Sequence, residues 1–252
     1  MRALQIAASG MSAQQTRVEV ISNNLANMST TGYNARRAEF ADLHYQQAAR
    51  PGSVTAADGT VIPAGVQLGL GVRPTAVSVN LQQGALTQTG GDLDLAIEGE
   101  GFFLVEAPDG LRLTRAGAFI PSAEGELMTA DGHRLLDEGQ APIILPAGAN
   151  AVAIGADGTL SSNGLPFGRI GLFTPPEGTD LTRQSGTGFA VEGEPQLVEE
   201  GRIRQGFLED SNVDPIFEIT RMIEVQRAYE LGQTFLDRED QRIRGAITAM
   251  TR

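Results

Sequence analysis

The sequence predicts an α+β protein: long N- and C-terminal helices forming a coiled-coil-like end domain, an all-β middle domain, and an extended arm after the first helix. Two observations carry this. Apolar residues recur every seven positions at both ends, the period of a helical seam. Between those ends, residues 41–200 hold 25 of the 31 Gly and 11 of the 12 Pro, so turns crowd the middle and spare the termini. Charge divides the same way: residues 1–40 carry four Arg against two Glu, residues 201–252 eight Arg against nine acids, and residues 41–200 seven Arg against twenty acids. The predicted segments are therefore 1–40 (first helix and turn), 41–75 (arm), 76–205 (β-rich middle) and 206–252 (second helix).

The first helix is predicted over residues 2–28. Leu4, Met11, Val18 and Leu25 are spaced by seven, and Ala7, Gln14, Ile21 and Met28 follow at +3, which is an a/d seam. The helix should stop where Asn27, Ser29, Thr30 and Thr31 crowd together and Gly32 tolerates positive φ. Residues 46–71, rich in Ala, Gly, Pro and Gln, read as a long loop or arm, and loops of that length usually serve a purpose.

The middle shows short apolar runs between turn dipeptides at Asp58-Gly59, Gly90-Gly91, Asp109-Gly110, Glu124-Gly125, Asp131-Gly132, Asp157-Gly158 and Asn163-Gly164. Leu93, Leu95 and Ile97 alternate with Asp92, Asp94, Ala96 and Glu98, which predicts a strand with one buried face. Residues 102–105, 112–115 and 143–145 are further strand candidates.

At the far end, Asp214 and Pro215 make an N-cap and first-turn pair. Met222, Tyr229, Leu236, Ile243 and Met250 then recur every seven residues, with Ile219, Gln226, Gln233, Asp240 and Ile247 as the second row. Helices over 2–28 and 215–250 would be roughly 40 and 55 Å long, well beyond the usual length of about 11 residues. Two arrangements fit: an antiparallel helical hairpin packed on the middle, or a coiled coil that projects from it and associates with other subunits. The second is the sharper expectation.

Composition excludes several functions. With no Cys and two His, there are no disulfides, no thiolate metal sites and no cysteine nucleophile. All 19 basic residues are Arg, so Schiff-base chemistry and the P-loop lysine are absent. A net charge of -12 argues against nucleic acid and against a polybasic membrane anchor. No uncharged run reads as a membrane helix, and Gln5 and Ser9 interrupt any secretory h-region, so neither membrane insertion nor a cleaved signal is expected. Asp92 and Asp94 lack the further oxygens and the glycine offset of a Ca²⁺ loop. Gly99 and Gly101 lack the third glycine of a dinucleotide motif and read as a tight turn or bulge. His44 and His133 have no nucleophile elbow nearby. The expectation is no catalytic residue, no metal and no cofactor; a secreted carbohydrate-active enzyme or a monomeric β-rich binding module are rival classes without a positive signal.

The termini carry two residue-rich motifs. Ala8-Ser9-Gly10-Met11, Asn23-Asn24-Leu25-Ala26-Asn27 and Thr30-Thr31-Gly32-Tyr33 resemble the N-terminal signature of the flagellar rod and hook family. Ser211-Asn212-Val213-Asp214 and residues 222–230 resemble its C-terminal signature. Gln83-Gly84-Ala85-Leu86, residues 92–97, Gly101-Phe102-Phe103 and Thr114-Arg115-Ala116-Gly117 are similar to the family's core, so the likeness spans the chain. The segment bearing Arg50-Pro51-Gly52, Gly59, Pro63, Gly65-Val66-Gln67 and Gly69-Leu70-Gly71-Val72 resembles the distal-rod branch, with hook or proximal-rod subunits as the alternative within the family. Gly232 departs from a usual Asn, and Asn34-Ala35 from a usual basic residue.

The resemblance implies a non-enzymatic subunit that polymerises through its terminal helices into a rigid hollow drive shaft. It implies a place in the basal body, crossing the periplasm. The implied partners are other copies of the chain, proximal rod proteins, the hook protein, the surrounding P and L ring proteins and the type III export apparatus, which passes the chain without signal cleavage. On this reading both heptad rows are self-assembly residues. Gly10, Gly232 and Gly245, each costing about 1 kcal/mol in a helix, leave the isolated termini weakly helical, and polar seam residues such as Gln14, Gln226 and Gln233 would fix register.

Overall fold

The structure, a computed structural model, describes residues 2–43, 46–49, 66–146, 152–176, 181–184, 186–191, 193–198 and 201–250. Helix lies at each end and β-structure between, as the α+β reading expects. The chain divides into two compact units: unit 1 comprises Met1–Leu25, Arg36–Ser78 and Pro215–Arg252, and unit 2 comprises Ala26–Ala35 and Val79–Asp214.

Unit 1 holds α1 (Arg2–Ala26), β1 (Arg36–Asp42), β2 (Gln46–Ala49), β3 (Val66–Leu68), β4 (Val72–Val79) and α2 (Pro215–Met250). Strand β1 pairs with β4, and β2 pairs antiparallel with β3, Gln46 opposite Leu68. The rest of the arm, with Arg50-Pro51-Gly52, Gly59, Pro63 and Gly65, lies outside the described residues, as does His44. One flank of α1 meets this β-structure: the Ser9 hydroxyl accepts the Val72 N–H (3.3 Å) while donating to the Ile6 carbonyl (2.8 Å), and Arg17 stacks 4.9 Å over the Phe40 ring. Another flank meets α2, which runs antiparallel: Gly232 lies against Met11, and Val225 lines a cavity with Ile21 and Arg17. Helix α1 stops at Ala26, two residues before the predicted end. The Thr30 N–H then bonds the Asn27 carbonyl (3.1 Å) and the Tyr33 N–H bonds that of Thr30 (3.2 Å), so turn bonds replace the helical ladder.

Unit 2 is built on antiparallel strands: β5 (Leu86–Gln88), β6 (Leu95–Glu98), β7 (Phe102–Ala107), β8 (Gly110–Thr114), β9 (Phe119–Pro121), β10 (Leu127–Thr129), β11 (Arg134–Leu135), β12 (Val152–Ile154), β13 (Thr159–Ser162), β14 (Leu165–Arg169), β15 (Leu172–Thr174), β16 (Thr182–Arg183), β17 (Phe189–Ala190), β18 (Gln196–Leu197), β19 (Arg202–Gln205) and β20 (Phe207–Glu209). The main sheet runs β16-β17-β8-β7-β11-β10-β9, and β15 joins β7 to β18. Strands β12-β13-β14 form a second sheet, while β6 pairs with β19 and β5 with β20. The predicted turns do supply left-handed backbone: Gly110 has φ 132° between β7 and β8, and Asn163-Gly164 has φ 53° and 80° between β13 and β14.

Strand β7 organises the interior. Its alternating side chains enter two separate cores: Phe103 and Val105 pack with Leu95, Phe119 and Leu135, whereas Phe102 and Leu104 pack with Leu113, Phe173 and Phe189. Edge-to-face rings close each side, Phe103 on Phe119 at 5.3 Å between centroids and Phe102 on Phe189 at 5.8 Å.

Two strand expectations change. Asp92 and Leu93 form a turn and only Leu95–Glu98 is strand; Ala96 is buried with its neighbours, so on the β6 face read as wet only Glu98 at the strand end is exposed. Asp94 instead accepts the Thr89 hydroxyl at 2.5 Å. Residues 143–145 make only isolated bridges, although Ile143 is buried, because Leu127 and Leu135 take its backbone bonds singly.

Phe103→Ala should cost about 3–5 kcal/mol in urea unfolding followed by circular dichroism. Ile120→Ala, on the exposed face of β9, should stay within about 0.5 kcal/mol of the parent.

Candidate assembly site

The two terminal motifs meet in unit 2. Gly32 adopts φ 65°, and a side chain there would press on the Arg115–Ala116 backbone, so only glycine permits this approach. The Gly32 N–H donates to the Glu209 carbonyl (2.8 Å). Three residues further along, the Asn212 side chain binds three backbone groups: its Oδ1 accepts the Ala35 N–H (2.7 Å), and its Nδ2 donates to the carbonyls of Asn80 (2.9 Å) and Gln82 (2.7 Å). The Asn212 N–H reaches the Tyr33 carbonyl (3.3 Å), and Asn34 donates to the same Asn80 carbonyl (3.3 Å). Ser211 accepts the Val213 N–H (3.3 Å), which sets the buried Val213 side chain inward. The Arg183 guanidinium stacks over Tyr33 (4.3 Å) and Phe189 (5.1 Å).

A buried ion pair anchors this junction. Glu209 is 2% exposed; its Oε2 meets Arg115 Nη1 at 3.1 Å and its Oε1 accepts the Gly84 N–H at 3.0 Å. Arg115 Nη2 donates to the Gly99 carbonyl (2.8 Å), and the guanidinium lies 5.1 Å from the Phe102 ring centre. Each charge thus has further polar partners, the condition under which a desolvated pair is tolerated.

In unit 1, Asn24 is fully buried on α1. Its Oδ1 accepts the Arg36 N–H (2.8 Å) and its Nδ2 donates to the Arg36 carbonyl (2.9 Å), a two-point clamp on the first residue of β1. Asn23 is exposed, and Asn27 holds the Thr30 hydroxyl (3.3 Å) beyond the helix end. Of the first seam, Leu4, Ala7, Met11, Gln14, Val18 and Leu25 are half-buried and Ile21 is buried, while Met28, past the helix, is 45% exposed. Ala13, Val20 and Asn24 form a second covered row not read from the sequence.

On α2 the seven-residue row is partly covered: Met222, Tyr229, Leu236 and Ile243 are half-buried, and the Met250 side chain lies outside the described residues. Its companion row differs from the one read from the sequence. Ile219, Gln226, Gln233, Asp240 and Ile247 are exposed, and the covered companions are Glu218, Val225, Gly232 and Glu239. A helical stripe extends to either +3 or +4 from a given row, and isoleucine at two +4 positions outweighed a +3 row whose apolar member is Val225. Gly232 marks the covered row. A Cβ there would lie 3.0 Å from Met11 Cγ, so its absence allows the helices their close approach.

Among the described residues no three His, Cys, Asp or Glu gather as a metal site. The Arg112 side chain bonds Asp109 at 2.7 Å and holds that exposed carboxyl below the usual range, and Thr159 does the same for Asp157. Both lie in turns, and neither bonds a residue of the junction.

Helices at both ends, a β-rich middle and a junction in which residues 30–35 and 209–213 are bonded together are the features of the chain that its relatives can be compared with. Residues 4–34 match the family of the flagella basal body rod protein, residues 96–162 the flagellar hook protein FlgE/F/G D1 domain, and residues 204–249 the flagellar basal body rod FlgEFG protein C-terminal region. The chain belongs to the flagellar basal-body rod family. It is 41% identical to the flagellar basal-body rod protein FlgG of Agrobacterium fabrum and 40% identical to that of Caulobacter vibrioides, in each case over 96% of both chains. It is also 37% identical to the Caulobacter vibrioides rod protein FlgF over 94% of both chains.

Glu209→Ala leaves Arg115 buried without its counter-charge and should cost about 3–5 kcal/mol in denaturant melts. Gly232→Ile crowds the Met11 side chain where α1 and α2 approach and should raise the concentration needed for assembly in sedimentation velocity, while the β-rich circular dichroism of unit 2 persists.

Proposed function

We propose that this chain is a structural subunit of the distal rod of the bacterial flagellar basal body. It polymerises through its terminal helices into a rigid hollow shaft that carries torque to the hook. The observation that supports this best is the two-sided character of α2. One side carries Met222, Val225, Tyr229, Gly232 and Leu236 toward the covered seam. The opposite side presents Ile219, Ile223, Leu231 and Phe235 at 46, 45, 71 and 44% exposure. Covering the part of each side chain that is still exposed contributes about 1 kcal/mol, a driving force that a lone chain leaves unused and a neighbouring copy collects. A helical polymer requires two different complementary surfaces whose repetition does not close, and the outer row of α2 is one.

In this proposal residues 1–40 and 206–252 form the assembly domain, with the heptad rows of both helices as self-assembly residues. The outward-facing helix rows make the coiled-coil contacts between copies. Ile219 and Ile247 then serve neighbouring copies, while Gln14, Gln226 and Gln233 fix register. The termini are weakly helical until docked, which holds the monomer back from premature polymerisation. The arm at 41–75 braces adjacent subunits, and the acidic middle faces outward and keeps the shaft soluble. The protein is non-enzymatic and binds no cofactor. It lies across the periplasm between proximal rod and hook, inside the P and L ring proteins, after export by the flagellar type III apparatus without signal cleavage. No helix among the described residues is long and apolar enough to cross a membrane. A second reading, another subunit type of the same rod, has the FlgF likeness behind it.

In sedimentation velocity over a concentration series, the full chain should form elongated assemblies and gain helix as it does so. Ile223→Asp with Leu231→Asp should leave the monomer spectrum unchanged and abolish the assemblies. A chain that stays monomeric with fully formed helices at every concentration would refute the polymer.

A further inference from the structure

A cavity of about 230 Å³ lies within unit 1 between α1, β1 and α2. Four of its ten lining residues are arginines: Arg17 from α1, Arg36 and Arg37 from β1, and Arg221 from α2. Glu218 and Glu224 are the acids that line it, which leaves the cleft with two excess positive charges. Arg221 is the arginine committed to Glu218, at 3.9 Å, and it also stacks over Phe217 at 4.4 Å. Among the described residues, Arg17, Arg36 and Arg37 form no ion pair, and the buried Nε of Arg36 has no hydrogen-bond acceptor. The Asn24 clamp fixes the Arg36 backbone beneath this cleft. Arginines gathered in one cleft repel one another and are most simply satisfied by an incoming oxyanion held in their planar forks.

The rest of the chain has what the cleft lacks. Unit 1 carries twelve Arg against ten acids, a net +2, whereas unit 2 carries seven Arg against twenty-one acids, a net -14. Every residue lining the cavity belongs to unit 1. We infer that this arginine cleft is an inter-subunit socket: it receives an aspartate or glutamate side chain from the acidic middle unit of a second copy. The inference builds on the polymer proposed above and adds the electrostatic contact that orients one copy on the next. Apolar rows along a helix permit slippage between registers, whereas a carboxylate seated among guanidiniums selects one of them. It also makes assembly sensitive to ionic strength, since a rim-exposed charge contact is screened by salt.

The test is sedimentation velocity on the full chain between about 0.05 and 0.5 M NaCl, with circular dichroism on every sample. The parent should assemble less readily as salt rises. Arg17→Glu with Arg37→Glu should raise the concentration needed for assembly about tenfold or more at low salt and flatten the salt response, while Arg17→Lys with Arg37→Lys stays within about threefold of the parent. Should the double reversal disturb the fold, Arg37→Gln alone, at an exposed position, should raise the threshold about threefold. Parental assembly that the reversed or neutralised variants reproduce, threshold and salt response alike, overturns the socket and leaves the polymer standing. A parent that never assembles overturns both.

Discussion

The Arg115–Glu209 pair and the backbone around it close unit 2. Glu209 engages three parts of the chain: its carbonyl takes Gly32 and its carboxylate takes Gly84 and Arg115, and Arg115 continues to a fourth, Gly99. Asn212 then repeats the closure, linking Ala35 to a position 177 residues later. Bringing such distant segments together carries a loop-closure cost that grows only logarithmically with length, so a few buried, fully partnered polar contacts suffice to hold it. Without them the segment 26–35 has little of its own to hold it, because it contains no regular element and few large apolar groups.

The helical unit follows a different economy. Its covered seam combines modest residues, Ala7, Ala13, Val225 and Gly232, with larger ones such as Met11, Ile21 and Leu236. Small residues permit close helix approach but bury little area each. Larger apolar side chains, Ile223, Leu231 and Phe235, are turned outward instead. This inverts the usual preference for burying the bulkiest groups inside a single chain, and it is the pattern expected where part of the core is completed by a neighbour. The middle unit shows the opposite: Phe102, Phe103, Phe173 and Phe189 are all buried within two cores set on either side of β7.

The sequence by itself determined both helices and the β-rich middle, but not β1, β2, β3 and β4, which lie where it reads a turn and an arm and which pair with one another only in the folded unit. Seven-residue spacing located both helices, and turn dipeptides located hairpins of unit 2, because periodicity and left-handed backbone are local properties carried by neighbouring residues. The motif residues were legible too, since Asn24, Gly32 and Asn212 stand in residue-rich signatures. Their partners were not. That Asn24 clamps Arg36, that Gly32 lies on Ala116 and that Arg115 is buried against Glu209 follows from packing between positions up to 94 residues apart in the ion pair, and no local pattern encodes such a pairing. The tertiary structure alone chose the companion row of α2, because helical periodicity allows +3 and +4 equally and only the approach of Met11 to Gly232 selects between them. It alone also gathered Arg17, Arg36, Arg37 and Arg221 into one cleft, since charges dispersed over three elements become a site only when those elements pack.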